Sequence, residues 1–215
     1  MDFEFIKEFT PMFITAGILT VKLAFFGIVL SIIIGLASMS SRVLNLKFIN
    51  KIFDIYIEIS RNTPLLIQLF FLYYGLPKVG IKLDSFSCGV IGLAFLGGSY
   101  MAESFRLGYE AVKKAQIEAG LSLGLSKFQL IFHVILPQAF FIALPSISAN
   151  IIFLTKETSI VSVIALADLV YATKDIMGLY YMTDEALFML VVSYLIIILP
   201  ISLGLTLLEK RLSYV

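Results

Sequence analysis

Five stretches of this chain carry no charge: residues 23–41, 62–77, 85–102, 128–155 and 186–208. A helix that crosses a bilayer needs about 20 mostly apolar residues. The fourth stretch is long enough to hold an interfacial approach as well as a crossing. A sixth, 158–167, is too short to cross and reads as a helix buried against the others or lining a cavity. The apolar runs are continuous, as in Leu30-Ser31-Ile32-Ile33-Ile34 and Leu195-Ile196-Ile197-Ile198-Leu199, whereas strands of a membrane barrel alternate in polarity over about ten residues. Lipid offers the backbone no water to bond, so these runs must be helices. The expected fold class is an all-α polytopic membrane protein with five transmembrane helices, near 15–40, 60–77, 85–105, 134–155 and 186–208, in a single domain over 1–215. Gly27, Gly35, Pro145 and Pro200 are tolerable in membrane helices, and Gly97-Gly98-Ser99 suggests close helix contact.

Composition removes other classes. The chain is 60% hydrophobic and 14% charged over 215 residues, against roughly half and a quarter in a soluble domain. Disorder is excluded by the low polarity, and a disulfide scaffold by the single Cys88. Sixteen basic and 15 acidic residues leave a net charge of +1, a poor fit to nucleic acid. Asp2, Glu4 and Glu8 replace the basic start of a signal peptide, so the N-terminus is expected to be retained.

Five spans put the chain ends on opposite sides. With the N-terminus outside, the inner regions hold Arg42, Lys47, Lys51, Arg106, Lys113, Lys114, Lys127, Lys210 and Arg211. The outer regions hold Lys7, Lys78, Lys82 and Lys174. Lys22, Arg61 and Lys156 sit at span edges and are not counted. The excess favours an outer N-terminus and a cytoplasmic C-terminus.

Residues 106–133 are too polar for lipid, with Arg106, Glu110, Lys113, Lys114, Glu118 and Lys127. Their pattern is helix, break, helix. Val112, Ala115 and Ala119 recur at helical spacing, Gly124 suits a stop, and Ser126-Lys127-Phe128-Gln129 fits a capping box. Taken by themselves these residues fit a solvated cytoplasmic loop equally well.

Glu118-Ala119-Gly120, three residues, Gly124, nine residues and Val134-Ile135-Leu136-Pro137 resemble the EAA loop in permease subunits of bacterial ABC importers. That pattern is Glu-Ala-Ala, three residues, Gly, nine residues, Ile, any residue, Leu-Pro. Gly120 and Val134 depart from it. Three further segments are similar to the polar amino-acid branch of these permeases. They are Glu58-Ile59-Ser60-Arg61-Asn62-Thr63-Pro64-Leu65-Leu66 with Gln68-Leu69, then Tyr100-Met101-Ala102-Glu103 with Arg106, and Lys156-Glu157-Thr158-Ser159-Ile160-Val161-Ser162. Asn62 stands where the branch has Gly. Leu136-Pro137-Gln138-Ala139 agrees as well, so the likeness runs over nearly the whole chain.

The resemblance implies a type I ABC importer transmembrane fold in the bacterial cytoplasmic (inner) membrane and import of a polar amino acid. Residues 106–133 become the coupling loop, with Glu118, Ala119, Gly120, Gly124, Leu136 and Pro137 at the ATPase contact. Glu118 is expected to meet a basic partner or a helix N-terminus. The chain has no Gly-x-x-x-x-Gly-Lys-Ser/Thr loop, so it is not expected to be an enzyme or to bind a cofactor. ATP and Mg belong to separate ATP-binding cassette subunits. The other implied partners are an extracytoplasmic amino-acid-binding protein, a second permease copy or paralogue, and lipid. In that family, closure of the ATPases draws the two loops together and turns the cavity outward.

Charges inside a membrane face a cavity or a partner. Glu103, Glu157 and Asp168 are the substrate-cavity candidates, for an ammonium or a cationic side chain. Against that reading, Glu103 has Arg106 as a pairing partner one turn on, and Glu157 has Lys156. Asp54, Glu58 and Arg61 read as inner-interface residues, His133 as a packed or surface residue, and Cys88 as apolar filler. No spacing suits a metal. Tyr73 and Tyr74 fit an outer aromatic belt; Tyr171, Tyr180 and Tyr181 fit either that belt or a docking surface. The residues alone leave open a stand-alone secondary transporter or small channel, although no repeat relates the two halves. A membrane enzyme is disfavoured, because no His, Asp or Ser constellation gathers at one face.

Overall fold

A computed structural model gives the structure of this protein, and residues 1–212 are described. The first helix, α1 (Phe3–Val43), starts well before residue 15 because Asp2 caps it, accepting bonds from the amides of Glu4 at 2.9 Å and Phe5 at 3.1 Å. At 1.5 Å rise per residue it is about 60 Å long, roughly twice a hydrocarbon core. A turn then leads into α2 (Lys47–Arg61), a helix that counting uncharged residues does not find.

The second expected span is interrupted. Pro64 lacks an amide hydrogen and takes an extended backbone, so α2 ends at Arg61 and α3 (Leu65–Phe70) begins afresh. From there a wide turn over Phe71–Gly75 and a tight one over Leu76–Val79 carry the helical path to residue 79. The carbonyls freed at the break are satisfied locally. Gln68 Nε2 donates to the carbonyls of Ser60 at 3.2 Å and Thr63 at 3.0 Å, and Asn62 Nδ2 donates to that of Glu58 at 2.8 Å. Leu65–Val79 is only 15 residues, too short alone to cross about 30 Å. Yet α2 and α3 follow one another along the same neighbour, α4 (Ser85–Glu110). Tyr56 and Ser60 donate to the Phe95 carbonyl at 2.6 and 2.8 Å, Ser60 reaches Ser99 at 3.1 Å, and Leu65 and Leu69 abut Gly92.

The cytoplasmic-loop candidate folds as α5 (Lys114–Ser122) and α6 (Lys127–Leu130), so α4 itself extends to Glu110. A wide turn over Ile131–Ile135 joins α6 to α7 (Leu136–Glu157), letting the Leu136 amide reach the Ile131 carbonyl just before Pro137, which has no amide to give. Past Glu157 the helix tightens into a 3₁₀ segment, Thr158–Ile164, with Thr158, Val161, Ser162 and Ile164 buried. This is the expected short buried helix. It ends in a left-handed residue, Ala165, and Ser85 ties it to α4 through a 2.7 Å bond to the Ile164 carbonyl. An unforeseen helix, α8 (Leu169–Tyr180), precedes α9 (Thr183–Leu212).

Among the described residues, four helical paths are long and apolar enough to cross a membrane: Phe3–Val43, Ser85–Glu110, Phe128–Ile164 and Thr183–Leu212. The core lies where α1 and α7 pack on α4, around Leu23, Leu93, Met101 and Leu154. At Gly97 the expected close contact is present, since a Cβ there would press on Ser31 of α1 and on Leu154 of α7. A smaller cluster, including Phe13, Leu169 and Ile176, joins α1, α8 and α9.

Candidate functional site

Both helix breaks open onto one pocket of about 320 Å³. The α2–α3 break supplies Arg61, Asn62, Thr63 and Pro64, the end of α7 supplies Phe153 and Glu157, and α4 supplies Leu96 and Tyr100. Irregular backbone at membrane depth is tolerated where it lines a cavity. Arg61 was read from the sequence as an inner-interface residue, but it stands on the pocket wall with its guanidinium 5.5 Å from the centre of the Tyr100 ring. No sequence signal separated these roles; only the break three residues later, at Pro64, hints at a cavity there.

The three acidic candidates divide. Glu157 lies on the pocket wall, and among the described residues it forms no ion pair with Lys156. Glu103 sits outside this pocket. Arg106 donates to it through Nε at 3.2 Å and Nη2 at 2.7 Å, and Arg61 Nη1 lies 3.7 Å away. Arg106 also grips Glu110 with two 2.9 Å bonds. Glu103 lines a neighbouring pocket of about 250 Å³ with Glu58, Arg106 and the Arg42–Asp54 ion pair. Asp54 and Glu58 thus lie among charged groups, with Asp54 paired to Arg42.

Asp168 lies outside that pocket, fully buried as the N-cap of α8, where it accepts the Tyr171 amide at 2.9 Å. It falls between the long apolar helices, and burial pushes its carboxyl above the usual range. A carboxylic acid with a raised folded-state value contributes stability at low pH that is lost as pH rises. Asp168→Asn keeps a capping acceptor and removes the ionisation. Its thermal midpoint should gain on wild type as pH climbs from about 4 to neutrality. Asp168→Ala should instead lose about 1 kcal/mol.

At the far end of α4 and α7, the α5–α6 turn has well-defined chemistry. Gly124 takes φ +77°, its amide bonds the Leu121 carbonyl at 3.0 Å, and the Leu125 amide bonds that of Gly120 at 3.1 Å. These two bonds form a Schellman C-cap. The capping box closes as expected, with the Ser126 amide on Gln129 Oε1 at 2.9 Å and the Gln129 amide on Ser126 Oγ at 3.3 Å. Gly120 has a packing reason to be smaller than Ala, since a Cβ would lie 2.5 Å from Leu130 Cδ1. Glu118 and Ala119 point to solvent, and Glu118 has no ion pair among the described residues. Leu123 and Phe128 are 83% and 68% exposed, and Phe128 packs its ring 4.3 Å from that of Phe132. Leu136 and Pro137 open α7, and His133 is exposed with Nδ1 3.1 Å from the Gln129 carbonyl. No group of three or more potential metal ligands occurs among the described residues.

Residues 27–214 match the family model for the binding-protein-dependent transport system inner membrane component. The chain belongs to this family. It is a permease subunit of an ABC importer and not a catalytic enzyme. It is 34% identical over 183 residues to the probable glutamine ABC transporter permease protein GlnM of Bacillus subtilis (strain 168), covering 85% of each chain. Its identity to the glutamine transport system permease protein GlnP of Escherichia coli (strain K12) is 32% over 214 residues, covering 99% of this permease and 98% of that one. Among solved structures it is similar to an amino acid ABC transporter crystallised with histidines. The identity is 36%, the TM-score is 0.90, and 98% and 99% of the two chains are covered. An inward-facing MetNI methionine ABC transporter shares the fold at 16% identity and a TM-score of 0.80, covering 95% and 98%.

Proposed function

We propose that this permease forms half of the translocation pathway of an ATP-driven polar amino-acid importer in the bacterial cytoplasmic membrane. It crosses five times: α1, α2 with α3, α4, the helix from Phe128 to Ile164, and α9. The N-terminus lies outside and the C-terminus in the cytoplasm. The observation that carries the reading is the pocket at the two helix breaks, with Arg61 and Glu157 on its wall. An amino acid brings a carboxylate and an ammonium, and a wall with one cation and one anion suits both. Glu157 takes the ammonium. An extracytoplasmic binding protein delivers the amino acid, and a second copy or a paralogue completes the pathway by two-fold pairing. Separate ATPases bind ATP and Mg.

The turn carrying Glu118, Ala119, Gly120 and Gly124, braced by Leu136 and Pro137, docks in a cleft of the ATPase. Exposed Leu123 and Phe128 fill that cleft, and Glu118 meets a basic group there. A rigid two-helix handle at the foot of α4 and α7 passes ATPase closure directly to the pocket walls. The test is uptake by proteoliposomes holding the assembled transporter, with binding protein and ATP. Glu157→Ala removes a charged hydrogen-bond partner worth about 1.5–3 kcal/mol, so the KM for uptake should rise roughly tenfold or more. An unchanged KM contradicts Glu157 as the ammonium site.

A further inference from the structure

We propose that Arg61 is the residue that binds the substrate's carboxylate, and that Glu103 is a competing internal anion that Arg61 leaves when substrate arrives. The proposal rests on the pocket reading above and adds to it the partner exchange.

Arg61 is placed to face two ways. It ends α2 at the break, so its side chain is not held in a continuous helical groove, and it is about half exposed. On one side it lines the mid-chain pocket and overlies Tyr100. On the other it approaches Glu103, which faces the inner pocket of charged groups.

The two contacts on Glu103 are unequal. Arg106 holds it bidentately, with bonds of 3.2 and 2.7 Å, whereas Arg61 stays at 3.7 Å, beyond hydrogen-bond reach. Glu103 is therefore satisfied without Arg61. Withdrawal of Arg61 leaves Glu103 hydrogen-bonded, because both Arg106 bonds remain even though Arg106 is shared with Glu110. Arg61 itself then needs an anion, and the pocket is the place to find one. A planar guanidinium matches a carboxylate in a two-bond fork, and the Tyr100 ring keeps it oriented during the exchange.

This arrangement makes Arg61 a switch between the two pockets. While it leans on Glu103, the ion pair lies between the amino-acid pocket and the inner charged chamber. When a substrate carboxylate draws it toward the pocket, that link opens. Glu103 acts here through Arg61 and touches no substrate.

The experiment uses the assembled transporter in lipid nanodiscs, with its ATPases and without ATP. Equilibrium dialysis against radiolabelled L-amino acids, each of the twenty in turn, measures retention. Retention of none by wild type overturns the pocket reading itself. For a retained amino acid, Arg61→Gln should weaken binding at least tenfold and Arg61→Lys less. Glu103→Gln should tighten it at least threefold, by removing the competitor. The decarboxylated amine of that amino acid should bind wild type and Arg61→Gln equally. In the Arg61→Gln background, Glu103→Gln should change nothing, and the undiminished binding of the amine shows that this background is folded. Equal weakening of amino acid and amine by Arg61→Gln overturns the proposal while leaving the pocket intact. So does a Glu103→Gln variant of wild-type thermal midpoint with unchanged or weakened binding.

Discussion

Proteoliposomes carrying the Glu118→Lys, Gly124→Asp double variant should lose nearly all ATP-driven uptake. Glu118 is exposed and unpaired among the described residues, and Gly124 holds a left-handed turn at φ +77°. Reversing a charge that becomes buried in a docked interface costs about 2–5 kcal/mol. A non-glycine residue at that turn adds roughly 1 kcal/mol. Together they weaken docking by at least about a hundredfold. Since neither side chain packs in the core, the thermal midpoint of the purified permease should fall far less than uptake does. Amino-acid retention in the pocket should persist, because no residue of the turn lines the pocket. Intact uptake would remove the turn from the coupling path.

The second large effect is structural. Gly108 faces α7 so closely that a Cβ would fall on the Ala139 carbonyl oxygen and 2.9 Å from Ala143 Cβ. The oxygen belongs to the helix backbone and cannot turn aside, so α4 and α7 must separate. Gly108→Ala should therefore cost at the upper end of overpacking, about 3 kcal/mol. For a chain of this size that lowers the thermal midpoint by roughly 6–12 °C. Gly204→Ala is the matched control, with nothing within 4 Å of the added carbon. It should leave the midpoint unchanged or raise it, because alanine is the better helix former. A similar loss for both would mean that helix dynamics, not the α4–α7 contact, sets stability.

The α5–α6 turn was the most legible part of the chain, because its chemistry is local. Positive φ at Gly124 and the Ser126–Gln129 box are both written in neighbouring residues. The long helices were legible where charge was absent and obscure where it was present. The residues Lys47, Lys51, Asp54, Glu58 and Arg61 recur every three or four positions, one stripe of a helix. A count of uncharged residues passes over them, yet they form the exposed stripe of α2, whose Tyr56 and Ser60 bond α4. Glu103 carries its own signal, Arg106 three residues on, and that pair forms. Glu157 and Asp168 look alike as acids in apolar sequence, yet one lines a pocket and the other caps a helix. Those two fates depend on which elements meet, and no single-chain spacing encodes that.

The most direct measurement is uptake of radiolabelled amino acids into proteoliposomes holding this permease with its ATPases, with binding protein on the outer side. The account predicts accumulation against a gradient that stops when ATP, the ATPases or the binding protein is left out. Accumulation by the permease alone, or none with all components present, would contradict it.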